Sequence, residues 1–240
     1  MTDTPVYIGK DLEAMSFAVN YHRWILEEFR PYVGDHVVEV GAGTGNFSKL
    51  LLGESPRTLA LVEPSAMFEH LQRNISAIDT ETELTLYNSI FRNVSAEIAG
   101  KRRPDTIIYI NVLEHIENDA EELRAIYQTL AAGGRCLMFV PALQSLYGDF
   151  DREVGHFRRY GKKALEEKCR SAGFNVERSR YFDFVGILPW FIKYRILKSN
   201  SLSAKSVDAY DKVAVPFVRK FEAILPTPIG KNILAVLKRA

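Results

Sequence analysis

Glu39, the glycines at 41, 43 and 45, and a second acid at 63 are the residues whose types and spacing point to joint chemistry. Val37-Val38-Glu39-Val40 is a β-branched apolar run, the pattern of a strand buried in a parallel sheet. Gly41-Ala42-Gly43-Thr44-Gly45 follows, and Phe47, Leu50 and Leu51 then resume at helix spacing. A buried strand therefore ends in a tight turn and feeds a helix. Glycines allow positive φ and close approach of a ligand to the backbone, and the helix start offers unpaired N–H groups. Glu39 lies inside the strand, where a carboxylate is costly without a partner. Glu63 closes the next apolar run, 58–62, and stands 18 residues beyond Gly45. An acid there can accept from both ribose hydroxyls of an adenosine. A phosphate loop needs Lys then Ser or Thr after its last glycine, and Asn46-Phe47 excludes it. A dinucleotide fingerprint is G-x-G-x-x-G. Here the third glycine comes one residue early, which argues against a nicotinamide-dependent oxidoreductase, the alternative on a similar sheet.

Two histidines stand where a general base would serve. His115 follows the apolar run 106–110, and His156 lies in a loop rich in aromatics and charges, 142–161. Imidazole, with an unperturbed pKa of ~6.5, is the usual base at neutral pH. The plainer readings are that His115 fixes the loop after the fourth strand and that His156 anchors its own loop by pairing with Asp151 or Tyr160. Arg158-Arg159 could clamp an anionic group bidentately, but such pairs are more often half structural, so at most one of the two is expected to face a ligand. No His, Cys and Asp cluster stands at ligand spacing, so no metal is expected.

The elements that position these groups alternate strand and helix. A helix spans 10–30 with apolar Leu12, Met15, Val19, Trp24, Ile25 and Phe29, stopped by Pro31 and Gly34. Strands follow at 37–40, 58–63, 84–87, 106–110, 135–140 and 175–181, and Ser65 is the expected N-cap of the helix after the second. Asn88-Ser89 ends the third strand and Asn111-Val112 the fourth, and ligands of open α/β sheets bind at such carboxyl ends. Residues 182–231 read as two helices, near 185–198 and 204–224, before a last strand at 232–238.

These motifs resemble those of the class I S-adenosylmethionine-dependent methyltransferases. Glu39 to Gly45 fits their first motif, an acid, any residue, then G-x-G-x-G, and Glu63-Pro64 is similar to their second. Asn111-Val112-Leu113-Glu114-His115-Ile116 resembles the motif after strand four in the small-molecule branch, often called type 11 or type 12. Leu130 to Arg135 resembles the loop before strand five. Leu146-Tyr147-Gly148, Asp151 and Gly155 to Tyr160 are similar to a narrower subgroup associated with bacterial surface-glycan and other secondary biosynthesis. The resemblance runs from Tyr21 to Lys238. It implies a doubly wound, Rossmann-like, seven-stranded and mostly parallel sheet with an antiparallel last strand. The lead-in is 1–34, the cofactor-binding core 35–181, and a helical cap 182–231 precedes the last strand, 232–238.

The implied cofactor is S-adenosylmethionine, met by Tyr21, Glu39, Gly41, Ala42, Gly43, Thr44, Gly45, Glu63, Pro64, Asn88, Ser89, Asn111 and Val112. Asn88 departs from the Asp that many relatives place there, though its carbonyl can accept the same bond. Asn111-Val112-Leu113-Glu114 lacks the Asp/Asn-Pro-Pro-aromatic of DNA amino-methyltransferases. The expected reaction is therefore methyl transfer to a small-molecule, glycan or lipid-precursor acceptor at oxygen, not to DNA. A protein that binds the cofactor without transferring from it is the other alternative.

Composition agrees with one domain. The chain has 240 residues, 47% of them hydrophobic, and a net charge of +1, so no global field draws it to nucleic acid. Cys136 and Cys169 read as inert core thiols in a reducing cytosol. From Lys193 onward ten Lys or Arg face three acids, a net +7. A solvated basic face explains this most simply; peripheral contact with anionic lipid is the sharper reading.

Overall fold

The computed structural model describes residues 18–199, 204–225 and 227–240. Leu12 and Met15 of the expected first helix, and Pro226, lie outside them. Seven strands form one sheet in the order β3-β2-β1-β4-β5-β7-β6. They are β1 His36–Val40, β2 Thr58–Val62, β3 Glu83–Tyr87, β4 Thr106–Ile110, β5 Arg135–Pro141, β6 Asn175–Phe182 and β7 Asn232–Lys238. β3 to β5 pair in parallel through β2, β1 and β4, and β7 runs antiparallel to β5 and to β6. This is the doubly wound Rossmann-like arrangement that the resemblance implies.

Helices cover both faces, which is why the central strands read as unbroken apolar runs. On one side pack α1 Val19–Phe29, α2 Asn46–Leu52 and α3 Phe68–Ser76, through Trp24, Phe29, Phe47, Leu51, Leu71 and Ile75. On the other pack α4 Phe91–Lys101, α5 Asp119–Thr129 and, beyond a short α6 at Asp149–Glu153, α7 Lys162–Ser171. Cys136 and Cys169 are buried in this second layer, and burial pushes both thiols up, Cys169 to about 12. Ser65 does not cap α3. Its Oγ accepts from Met67 N at 3.2 Å, in the turn before the helix begins at Phe68.

Between β6 and β7 the chain forms α8 Ile187–Trp190 with a π-helical extension, Phe191–Ile196, and then α9 Ala204–Ala209, a π turn Tyr210–Ala214 and α10 Val215–Ile224. Buried carboxylates stitch this segment to the body. Asp211 accepts from the Asn20 and Tyr21 amides at 2.9 and 2.8 Å, so the cap supplies the first turn of α1 with acceptors it cannot find locally. Glu222 accepts from Phe184 N at 2.7 Å and pairs with Arg180 at 2.8 Å. Asp183, fully buried, pairs with Lys231 Nζ at 2.8 Å and accepts from the hydroxyls of Tyr21 at 3.1 Å and Tyr210 at 2.5 Å.

Candidate active site

The glycine turn is made by three left-handed residues, with φ of 72° at Gly41, 55° at Gly43 and 86° at Gly45. The glycines at 41 and 45 are needed for packing as much as for conformation. A Cβ on Gly41 would collide with Val112 Cγ2, and one on Gly45 would stand 3.0 Å from Leu71 Cδ1. The turn hangs from β2: Gly41 N and Ala42 N donate to Val62 O at 2.8 and 3.2 Å.

Glu63 braces this turn. One carboxylate oxygen accepts from Gly43 N at 2.8 Å and the other from Ser65 N at 2.9 Å. Asn88 donates its side-chain amide to Glu63 O at 3.0 Å, which leaves the Asn88 carbonyl oxygen for an acceptor role. Asn74 holds Thr44 O at 2.9 Å. Glu39 finds the partner that its buried strand position requires, accepting from Ser48 Oγ at 2.6 Å. Burial pushes the Glu39 carboxyl up to about 8, against the Ser48 hydrogen bond and with the help of Glu63. Its folded pKa is raised, so its stabilisation is complete below the ordinary carboxylate range and is lost as pH rises towards about 8. Unfolding titrations of the apo protein between pH 5 and 9 are expected to show the wild type losing roughly 2–5 kcal/mol relative to Glu39→Gln, which cannot ionise. Parallel curves for the two proteins would refute this.

Asn111 leaves β4 with φ of 52°, its N–H donating to Phe139 O at 2.8 Å. Leu113–His115 then forms a single 3₁₀ turn. The loop after β5 folds back onto that turn, with Phe157 N donating to Glu114 O at 2.8 Å and Tyr160 OH to Leu113 O at 3.2 Å. His156 is thereby carried to His115; their rings meet edge to face at 4.6 Å. His156 Nδ1 bonds Asp151 Oδ1 at 2.9 Å, and its Nε2 lies 3.9 Å from Glu114 Oε1. Burial, with the nearby His156, lowers His115 to about 3, and burial raises Glu114 to about 7. Asp151 is buried, which would raise it, yet the His156 hydrogen bond and the Arg159 charge hold it below its usual value.

The structure therefore gathers Gly41–Gly45, Glu63, Pro64, Asn88, Ser89, Asn111 and Val112 at the carboxyl ends of β1 to β4, with Glu114, His115 and His156 beside them. No cluster stands at ligand spacing along the sequence, but the fold brings three possible ligands together. One ligand atom from each of Glu114, His115 and His156 lies within 4.8 Å of the others, a grouping invisible along the sequence because two loops supply it. Tyr21 is a core residue, edge-on to Trp24, Phe139 and Phe182, with its hydroxyl held by Asp183 and Asn232. Of the two arginines, at most one of which was expected to face a ligand, both turn to internal acids. Arg158 pairs with Asp119 at 2.7 Å, and Arg159, buried, pairs with Asp151 at 2.8 Å beneath Trp190. Trp190 and Tyr194 of the cap pack on Phe150 of the loop. Ser48 and Asp183 escaped sequence reading; a small polar residue nine positions after the strand acid was the only signal for the former.

An open α/β sheet with a glycine turn at its switch point, a braced acid after β2 and an acid–histidine loop after β4 is the layout of a class I S-adenosylmethionine-dependent methyltransferase. A family model described as a methyltransferase domain matches residues 18–179, and the chain belongs to that family. Among curated proteins it is similar to a tRNA U34 carboxymethyltransferase of Psychrobacter sp. (strain PRwf-1), at 21% identity over 177 residues. That match takes in 66% of this chain, and the chain spans about half, 49%, of the relative's length. Among solved structures it is similar to the complex of the Haloferax volcanii Trm112 methyltransferase activator with a methyltransferase (TM-score 0.59, 13% identity, 97% and 92% of the two chains covered). It is also similar to a SAM-dependent methyltransferase from Archaeoglobus fulgidus (TM-score 0.56, 18% identity, 89% and 90% covered). These likenesses are of fold.

Proposed function

We propose that the chain transfers a methyl group from S-adenosylmethionine to a hydroxyl oxygen of a small-molecule, glycan or lipid-precursor acceptor. One observation carries this reading. Val112 packs on Gly41, and the next residues set Glu114 and His115 against His156, so the glycine cradle and the acid–histidine cluster are two sides of one wall. The sulfonium methyl is already activated when bound, so the protein's main tasks are alignment, worth roughly 7–11 kcal/mol in favourable cases, and handling of the hydroxyl proton. Glu63 and Asn88 would hold the adenosine end, and the Gly41–Gly45 turn the remainder. His156, oriented by Asp151, and His115 would act on the acceptor's hydroxyl.

The cap supports the acceptor class. Leu188, Ile196, Leu197, Val213, Phe217 and Ile224 are exposed on it, among the basic residues that make the segment from Lys193 onward net +7. Among the described residues no helix is long and apolar enough to cross a membrane. Peripheral contact of a cytosolic protein with an anionic surface, where lipid-linked acceptors reside, fits that pattern. A second reading takes RNA as acceptor, favoured by the tRNA modification named for the curated relative and by the same basic segment. Incubation with labelled cofactor and either lipid-linked glycan fractions or bulk tRNA separates them. Label entering the glycan fraction in an alkali-stable ether is expected. Label entering tRNA alone would replace the acceptor assignment, and cofactor binding without turnover would support a non-catalytic binder.

A further inference from the structure

The least satisfied polar group in this region is Glu114. Its side chain has no exposed surface, and neither carboxylate oxygen has a hydrogen-bond partner. Leaving a buried carboxylate so placed is costly unless a proton or a cation meets it. The groups around it are those a cation would want. His156 turns Nε2 towards Glu114 Oε1 at 3.9 Å, while its Nδ1 is held by Asp151 at 2.9 Å. Asp151 is itself fixed by Gly148 N at 2.9 Å and Arg159 at 2.8 Å, so the imidazole is locked in orientation. A carboxylate behind the far nitrogen of a ligating histidine is the usual support of a metal-bound imidazole. His115 completes the set, all three ligand atoms lying within 4.8 Å of one another.

We propose that Glu114, His115 and His156 form a divalent-cation site. Two imidazoles and one carboxylate select a borderline ion such as Zn²⁺, Mn²⁺, Fe²⁺ or Co²⁺ over Mg²⁺ or Ca²⁺, which take oxygen ligands. Ligand atoms bound at about 2.0–2.2 Å stand roughly 3–3.6 Å apart in a tetrahedral shell, so small side-chain rotations close the site. Three protein ligands leave positions open, and two of them come from the loop that begins with Val112, beside the cofactor turn. Resting on the methyl-transfer reading, those positions take the acceptor's hydroxyl oxygen and lower its pKa, so His115 and His156 act on that hydroxyl through the ion they hold rather than as bases, and the proton leaves to solvent.

The test starts from protein stripped with EDTA and titrated with Co²⁺ in the absence of cofactor. Visible d–d absorption saturating at one equivalent is expected, with Zn²⁺ displacing it. Glu114→Gln and His156→Ala should each weaken Zn²⁺ binding at least ~100-fold, and Asp151→Asn about 10–100-fold. Glu114→Gln keeps the shape of a buried side chain, and an unchanged circular dichroism spectrum shows that each variant is folded. Absence of a Co²⁺ spectrum, or Zn²⁺ affinity unchanged in folded Glu114→Gln, overturns the site. Metal binding together with failure to bind S-adenosylhomocysteine would leave the site standing and remove the methyl-transfer reading instead.

Discussion

Glu63→Ala is expected to weaken S-adenosylhomocysteine binding by two to four orders of magnitude in calorimetric titration, from micromolar in the wild type. The two carboxylate oxygens already accept from Gly43 N and Ser65 N. Each keeps a further acceptor site, enough for the two ribose hydroxyls. Charge-assisted hydrogen bonds are worth about 1.5–3 kcal/mol each, so losing two costs roughly 3–6 kcal/mol, or 10²–10⁴ in affinity. Alanine also strips the acceptor from Gly43, the middle residue of the turn. Glu63→Gln separates the two losses: its carbonyl retains one backbone donor and one ribose bond, and an intermediate affinity is expected. Binding by the alanine variant within threefold of wild type would remove Glu63 from the cofactor site.

Asp183→Ala is expected to be the most destabilising single change in the cap. The carboxylate is fully buried and pairs with Lys231, two tyrosine hydroxyls and Gly186 N. Burial alone would raise its pKa, but Lys231 holds it below the usual aspartate value. Removing one partner of a buried ion pair costs about 3–5 kcal/mol, because the other charge is left without compensation. At about 2–4 °C per kcal/mol for a chain of this size, melting should fall by roughly 6–20 °C. Asp183→Asn combined with Lys231→Met removes both charges and should recover part of that loss. A fall of under 2 °C in the alanine variant would show that the pair contributes little.

The parts of the molecule that are legible in sequence are those dictated by local pattern. β1, β2, β4 and β5 are covered by helices on both faces, so they read as continuous apolar runs. The glycine turn reads because positive φ at three alternate positions leaves few other residues. Glu39 and Glu63 read because a carboxylate at the end of a buried strand is conspicuous. Helix α4 did not read: Phe91, Val94 and Ile98 are its apolar positions, diluted by Asn93, Ser95 and Gly100. That the last strand is antiparallel came only from resemblance, and its place between β5 and β6 was not legible at all, since no local pattern encodes which strands become neighbours. Glu114 and His156 lie on different loops, and their meeting depends on the hydrogen bonds that fold the second loop onto the first. Arg158, Arg159, Asp183, Asp211 and Glu222 look like solvated charges in a list of residues. Each is instead spent on an internal partner, which only three-dimensional neighbours reveal.

The position of β7 also governs how the molecule is made. Among the described residues β6 pairs with no strand except β7, and β7 alone covers the edge of β5 that faces away from β4. Until residues 232–238 emerge from the ribosome, the half-built sheet carries an open edge at β5 and a stray strand at β6. The fifty or so residues between them take several seconds to synthesise at about 5–20 residues per second. Open edges are templates for wrong pairing. Nascent chains stalled within the segment between β6 and β7 are therefore the species most exposed to aggregation and most in need of a chaperone, and protease resistance is expected only once β7 has slotted in.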